Sequence, residues 1–325
     1  MQPFAYANPT TLQEALGQLG ARWGEADVLA GGTDLISSMK DRLHTPKRVV
    51  NIKNIKELEG IQKTADGLRI GALVTMDELA RNADVRASYK SLVDAAEGVS
   101  SPQIRHVGTV GGDLCQRPRC WYYRNGFGLL ATQDGKPLAP GGENKYHAIF
   151  GGGPAYFVSA SSLGPALVAL GARVKLVSAK GAREVPAAKF FVAPKDENTR
   201  EIALRPDEIL TEILVPGAAV KSATYEVRQK MALDWPLAAA SVALTMNGNA
   251  VASAKVVLGH VAPTPWEATA AEKALAGKTV TAATAEAAGK AAVADAKPLS
   301  QNAYKVTLAR VAVKRALLEA VRTKA

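Results

Sequence analysis

The chain has 325 residues, 47% of them hydrophobic and 22% charged, with two cysteines, four histidines and a formal net charge of +10. This is a globular composition with room for two or three domains of roughly 100–200 residues, and it excludes a disordered chain, a disulfide framework and a four-thiolate metal site. No apolar run approaches the ~18 residues of a membrane span, and the basic residues are scattered, which argues against nucleic acid and for an acidic protein partner or an anionic cofactor.

The opening MQPFAYANPTTLQEA lacks the basic start and apolar run of a secretory signal. A cytoplasmic location is expected, or a periplasmic one if a partner subunit carries the export signal. A first helix is predicted from the capping-box spacing of Thr11 and Glu14, with Leu12, Ala15, Leu16 and Leu19 on one face. Asp27–Ala30 reads as a strand running into Gly31-Gly32, residues 38–42 are polar, and 48–52 is a second strand. A strand follows at 68–73, then a helix capped by Thr75 with Glu78 at the box position, then a helix at 92–98. Residues 104–114 form a glycine-rich segment, and 115–154 an irregular loop rich in Gly, Pro, Arg and aromatics. Loops that long are usually functional or disordered, and this composition looks like a packed binding loop more than a flexible linker.

Beyond the loop, 155–159 and 173–177 read as strands and 164–170 as a helix, while 202–215 reads as two strands flanking Pro206-Asp207. Pro216-Gly217 marks a break. Strands are predicted at 224–229, 238–246 and 251–258, the last two joined by an Asn247-Gly248 hairpin turn. Helices at about 266–276, 281–294 and 303–322 complete a β-then-α module of about 100 residues. In the last helix Lys305, Arg310, Lys314 and Arg315 are expected to face solvent or a partner.

Two turns carry the chemistry. Leu29-Ala30-Gly31-Gly32-Thr33-Asp34-Leu35 follows a strand directly. Its glycines let the backbone approach a ligand and aim N–H groups at it, and Thr33 adds a hydroxyl, as a phosphate or pyrophosphate requires. A plain tight turn is the competing reading. Gly108-Thr109-Val110-Gly111-Gly112-Asp113 repeats the pattern, with an acid able to accept from a ribose hydroxyl. A dinucleotide is long enough to need two grips. There is no Gly-x-Gly-x-x-Gly. Gly277-Lys278-Thr279 resembles the end of a P-loop, but Glu272 stands where its first glycine belongs. His44, His106, His147 and His260 lack the mutual spacing of metal ligands, so no protein-held metal is expected.

AGGTDL (30–35) paired with QIRHVGTVGGDL (103–114) resembles the FAD-binding subunits of the xanthine dehydrogenase and aldehyde oxidoreductase superfamily of molybdenum hydroxylases. The likeness runs over nearly the whole chain. QRPRCWYYR (116–124) with GGENKYHAIFG (141–151) is similar to the bacterial aldehyde oxidoreductase branch. The resemblance implies an α+β fold. A vanillyl-alcohol-oxidase-type FAD-binding domain would occupy 1–218, in two subdomains of about 1–54 and 55–218, with a flavoprotein C-terminal domain of sheet and helices at 219–325. It implies an oxidoreductase subunit of a heterotrimer. A small subunit would hold two [2Fe–2S] clusters and a large one the molybdenum cofactor, with electrons passing through FAD to an external acceptor. A stand-alone FAD-dependent oxidase and a flavin-free scaffold are the alternatives.

By the same resemblance, Leu29, Ala30, Gly31, Gly32, Thr33, Asp34 and Leu35 would wrap the pyrophosphate. Thr109, Gly111, Gly112 and Asp113 would hold the phosphate and ribose, and Ile104 and Gly108 would line the flavin cleft. Leu204 matches a position whose backbone meets the cofactor. Arg228 matches a basic position near the flavin ring, with Lys230 a second candidate; a strand-edge surface charge is the alternative for both. Relatives in this branch carry a [4Fe–4S] cluster on cysteines of the long loop. Here Cys120 matches one ligand position and residues 124–140 hold none, so no [4Fe–4S] cluster is expected. Glu143 and His147 would then contact the cofactor or serve as structural hydrogen-bonding groups.

Overall fold

The computed structural model describes residues 1–99, 101–217, 219–230 and 234–322. Among the described residues, three main sheets organise it, beside a small two-stranded one. The first is parallel, with Arg48–Asn51 between Ala5–Ala7 and Ala26–Leu29. Its crossovers are the helices Leu12–Gly17 and Leu35–Lys40. Thr11 and Glu14 form the expected capping box, in which the Thr11 hydroxyl accepts from the Glu14 amide at 3.2 Å. Ala15, Val50, Ile52, Ile55 and Leu58 close this small core.

The second sheet is antiparallel and five-stranded. Ile209–Pro216 lies at its centre, between Gly67–Gly71 and Arg173–Ser178, with Ile61–Thr64 and Gly181–Pro186 at the edges. Residues 202–215 thus hold one strand, from Ile209 on, where two were expected. Ile202 makes only an isolated bridge to Phe191, because Pro206 and Asp207 sit in the turn before Ile209. Helices Met76–Arg81, Lys90–Gly98 and Gly164–Ala169 fill the core over the sheet with Leu79, Leu92 and Leu167. Thr75 and Glu78 form the second capping box.

The third sheet holds Val220–Arg228, Pro236–Asn247, Ala250–Gly259 and Trp266–Glu267, all antiparallel. Its hairpin turn is Gly248-Asn249, one residue later than predicted, since Asn247 still pairs with Ala250. Gly248 has φ +56, which suits the first central position of a hairpin turn. Helices Thr269–Leu275, Ala282–Ala292 and Tyr304–Val321 cover one face. Their alanines permit close approach, and an added Cβ on Gly289 would meet the Arg310 carbonyl at 2.6 Å. Lys90–Gly98 joins the second and third sheets. The Thr224 amide donates to Asp94, and the Thr224 hydroxyl to the Ser91 carbonyl.

Two other expectations fail locally. Residues 155–159 form no strand, although the Tyr156 carbonyl and the Ser159 amide are paired with Ala148 and Ala262. The polar stretch 38–42 is partly the helix Leu35–Lys40, with Ser38 and Met39 buried. Lys305 is the largest departure. It is 1% exposed, and its ammonium donates to the carbonyls of Tyr146 (3.1 Å), His147 (3.2 Å) and His260 (2.7 Å). The last helix is thereby fastened to the long loop.

Burial pushes the His44 and His147 imidazoles down to about 4 and that of His260 to about 3, with Arg117 next in effect at His44 and Lys305 next at the other two. A free histidine titrates near 6.5. Below that pH the unfolded chain binds protons that the folded chain refuses, so stability falls as the pH drops through 6 to 4. Urea unfolding midpoints should decline from pH 7 to pH 5. His260→Asn should flatten that decline, and a midpoint constant over this range would contradict the burial of these rings.

Candidate functional site

The strand Ala26–Leu29 delivers the chain to the first glycine turn, which enters the helix Leu35–Lys40. Gly32 has φ +77, a conformation that side chains other than glycine resist. A Cβ on Gly31 would lie 1.9 Å from the Val107 carbonyl oxygen and 3.2 Å from the Gly108 Cα. The two glycine turns therefore touch, backbone to backbone.

Their donors differ. Among the described residues, the backbone N–H groups of Gly31, Gly32, Thr33, Asp34 and Leu35 meet no protein acceptor, and the first such bond is Ile36 N–H to the Gly32 carbonyl at 3.0 Å. The second turn does not repeat this chemistry. Residues 102–115 are two short helices, Pro102–Val107 and Val110–Cys115, with Gly108 and Thr109 between them. Gly111 donates to the Ala72 carbonyl (2.9 Å), Gly112 to the Thr109 hydroxyl (3.1 Å) and Asp113 to the Thr109 carbonyl (2.9 Å). The second turn is a wall against which the first rests. The Asp113 carboxylate is engaged too, accepting from the Ser161 hydroxyl (2.5 Å) and the amides of Ser162 and Leu163. Burial raises its pKa despite those donors.

A cavity of about 290 Å³ opens over the turns. Ala30, Gly31, Gly32, Thr33, Asp34, Leu35, Ile104, Gly108, Thr109, Gly112, Asp113 and Leu204 line it. Six predicted residues do not. Leu29 packs under Gly32, and Gly111 backs onto Ala72. The Arg228 guanidinium is bonded to the Glu226 carboxylate and the Gly98 carbonyl, and Lys230 is exposed. Glu143 is exposed, and only its backbone is held, by Tyr122 and Trp121. His147 is buried with its Nε2 3.1 Å from the Cys120 sulfur, a structural place away from the cavity.

Sequence reasoning missed several lining residues, among them Trp23, Asp27, His44, Arg117, Arg119, Arg200 and Trp235. Groups of three arginines, Arg117, Arg119 and Arg124, meet at Asp34. Its carboxylate accepts from the Arg117 amide (2.8 Å) and from Arg124 (2.8 Å) and is ion-paired with Arg119 at 2.9 Å. Burial opposes this charge, but Arg119, the Arg117 amide and Arg124 together hold Asp34 below the usual carboxylate range. Arg124 also donates to the Ser38 hydroxyl at 2.8 Å. The QRPRCWYYR segment is thus tied to the first turn and its helix.

Neither cysteine is poised as a thiolate. Burial pushes Cys115 up to about 12 and raises Cys120 as well. Among the described residues no group of three or more His, Cys, Asp or Glu side chains could hold a metal ion. Among the described residues no helix is long and apolar enough to cross a membrane.

Asp34→Ala removes the acceptor of an amide and two largely buried guanidinium groups, leaving them unpaired. Loss of one partner of a buried ion pair costs about 3–5 kcal/mol. Urea unfolding of the variant should show a loss of about 3 kcal/mol, and unchanged stability would mean that the knot does not hold the turn.

The family model for the FAD binding domain in molybdopterin dehydrogenase matches residues 2–218, and that for the CO dehydrogenase flavoprotein C-terminal domain matches 223–320. The carbon monoxide dehydrogenase medium chain of Hydrogenophaga pseudoflava is 30% identical over 320 residues, 97% of this chain and 96% of that one. The aldehyde oxidoreductase FAD-binding subunit PaoB of Escherichia coli K12 is also 30% identical, over 98% of this chain and 99% of its own length. Equal identity to both leaves the two branches undivided. A solved structure of the Hydrogenophaga pseudoflava enzyme lacking the Mo-pyranopterin moiety of its cofactor superposes with a TM-score of 0.75 at 30% identity, covering 98% of each chain. This chain belongs to the molybdopterin dehydrogenase FAD-binding family and is a flavoprotein oxidoreductase subunit of the molybdenum hydroxylases.

Proposed function

We propose that this chain binds FAD across its glycine turns and relays electrons from the [2Fe–2S] clusters of a small partner subunit to an external acceptor, within a complex whose large subunit holds the molybdenum cofactor. The observation that carries the reading is the run of amides at Gly31–Leu35 that meet no acceptor among the described residues, on a turn that lines a cavity in a chain of this family. Bound there, FAD supplies the redox chemistry.

The chain's own residues do the rest. The five amides present partial positive charge to a pyrophosphate at no cost in reorganisation, because the turn is already shaped. Gly31 and Gly32 keep side chains out of the path of the phosphates. Asp34 would repel a phosphate if it were free, and its pairing with Arg119 and Arg124 prevents this. Arg119 also lies 4.7 Å over the Trp235 ring, which places a guanidinium and an indole side by side at the cavity wall. The relatives named as medium chain and FAD-binding subunit are parts of larger enzymes, which supports the partner assignment.

Three further parts belong to this reading. The division at residues 1–218 and 219–325 is supported by the bounds of the two family models. The net charge of +10 favours an acidic partner face. The absence of a [4Fe–4S] cluster follows from a sequence with two cysteines, where about four thiolates are needed.

Purification of the native complex through this chain should yield two co-purifying subunits, one molybdenum and about four irons per FAD, the content of two [2Fe–2S] clusters. Flavin without iron, molybdenum or partner chains would overturn the relay. About eight irons per FAD would overturn the statement on the extra cluster.

A further inference from the structure

The long loop meets the C-terminal module at one junction. The carbonyls of Lys145, Tyr146, His147 and Ala148 are all taken by side chains of residues 302–305. The Tyr304 hydroxyl donates to Lys145 (2.9 Å), the Lys305 ammonium to Tyr146 and His147, and the Asn302 side-chain amide to His147 (3.1 Å) and Ala148 (3.3 Å). Asn144 donates to the Ser300 hydroxyl (2.9 Å) and exchanges two bonds with Gln301. The third sheet enters through the His260 carbonyl, which also accepts from Lys305.

Three bases are sealed inside this junction. Lys305 is 1% exposed, and His147 and His260 are each 3% exposed. Among the described residues none of the three has a carboxylate partner. His147 Nδ1 and His260 Nε2 are buried without a hydrogen-bond partner, and the other nitrogen of His147 meets the Cys120 sulfur. The remaining ionisable groups that face the junction are Tyr146, Tyr304 and Cys120, with Arg228 beyond His260 and bonded to Glu226. A proton added to any of the three bases is therefore held without water and without an anion beside it, which is costly.

We infer that this junction is an acid-released latch, which holds the long loop against the C-terminal module and lets it go as the pH falls. All three bases act in the same direction. Burial pushes Lys305 from 10.5 down to about 7, and the His147 and His260 imidazoles down to about 4 and about 3, with the Lys305 charge adding to the effect on both rings. Each group thus binds its proton more readily once the junction opens to water, so proton uptake favours opening. Lys305 drives opening as the pH falls toward 7, and the histidines take over below about 6.5, where a free imidazole becomes charged. The drive is continuous across neutral pH. What it frees is the loop whose first part pins Asp34.

Amide hydrogen exchange of the full-length chain, corrected for the intrinsic effect of pH on exchange, reads the junction through the amides of Ala148, Ile149 and Gln301, which are bonded to the Tyr156 and Val261 carbonyls and to the Asn144 side chain. Between pH 8 and pH 5.5 each base should lower their protection about tenfold, and the unaltered chain should lose at least about a hundredfold. Lys305→Met and His260→Asn should each give back about tenfold of that loss. Asparagine tolerates the φ of +60 at position 260, so His260→Asn decides should Lys305→Met not fold. Protection that does not change with pH would overturn the latch, as would a loss in His260→Asn as large as in the unaltered chain. So would protection at pH 5.5 equal to that of the central strand Ile209–Pro216, because the junction would then open only with the whole fold.

Discussion

Backbone N–H groups buried away from water normally find an acceptor, because an unpaired one costs as much as a lost hydrogen bond. Gly31–Leu35 lie half-buried or exposed along a cavity, and there five in succession have none among the described residues. The turn could lower its energy by coiling so that these donors met its own carbonyls, and three restraints prevent it. Gly31 is pressed against the Val107 carbonyl, Gly32 takes a left-handed φ, and the Asp34 carboxylate is held by the Arg117 amide, Arg119 and Arg124. The rest of the site is arranged around keeping these donors open. The second glycine turn, whose Gly108, Val110, Gly111, Gly112 and Asp113 amides are engaged, is the floor that sets their position.

The long loop gains its purpose from the same constraint. Its first part supplies the arginines that pin Asp34, and its second part is fastened to the C-terminal module. Asn144 exchanges hydrogen bonds with Gln301, and Lys305 reaches the Tyr146 and His147 carbonyls. The His260 carbonyl, on a residue with φ +60, completes the set around Lys305. The C-terminal helices thus support the first glycine turn through two contacts in series, without touching the cavity.

Much of this was legible in the sequence. The glycine turns, both capping boxes and the β-then-α module follow from local patterns that act within one or two turns of chain. What was not legible depends on long-range pairing. Gly111 and Gly112 look like a second cradle until Ala72, nearly 40 residues earlier in the chain, takes the Gly111 amide. Arg228 reads as a cofactor-facing cation until Glu226 and Gly98 bind it. Lys305 sits among basic surface residues of a regular helix, and its helical spacing does not distinguish it from Arg310 or Lys314, which pair with Glu286 at the surface. Trp23 and Arg200 are 177 positions apart and come together only across the cavity, so no motif spacing could have joined them.

The central claim is that open amides of the first turn, and not those of the second, hold the cofactor's phosphates. Amide hydrogen exchange of the chain with and without FAD addresses it directly. Without FAD, the amides of 31–35 should exchange rapidly and those of 111–113 slowly, since only the latter have acceptors. FAD should protect 31–35 strongly and change 111–113 little. Strong new protection confined to 111–113, with 31–35 unchanged, would contradict the account.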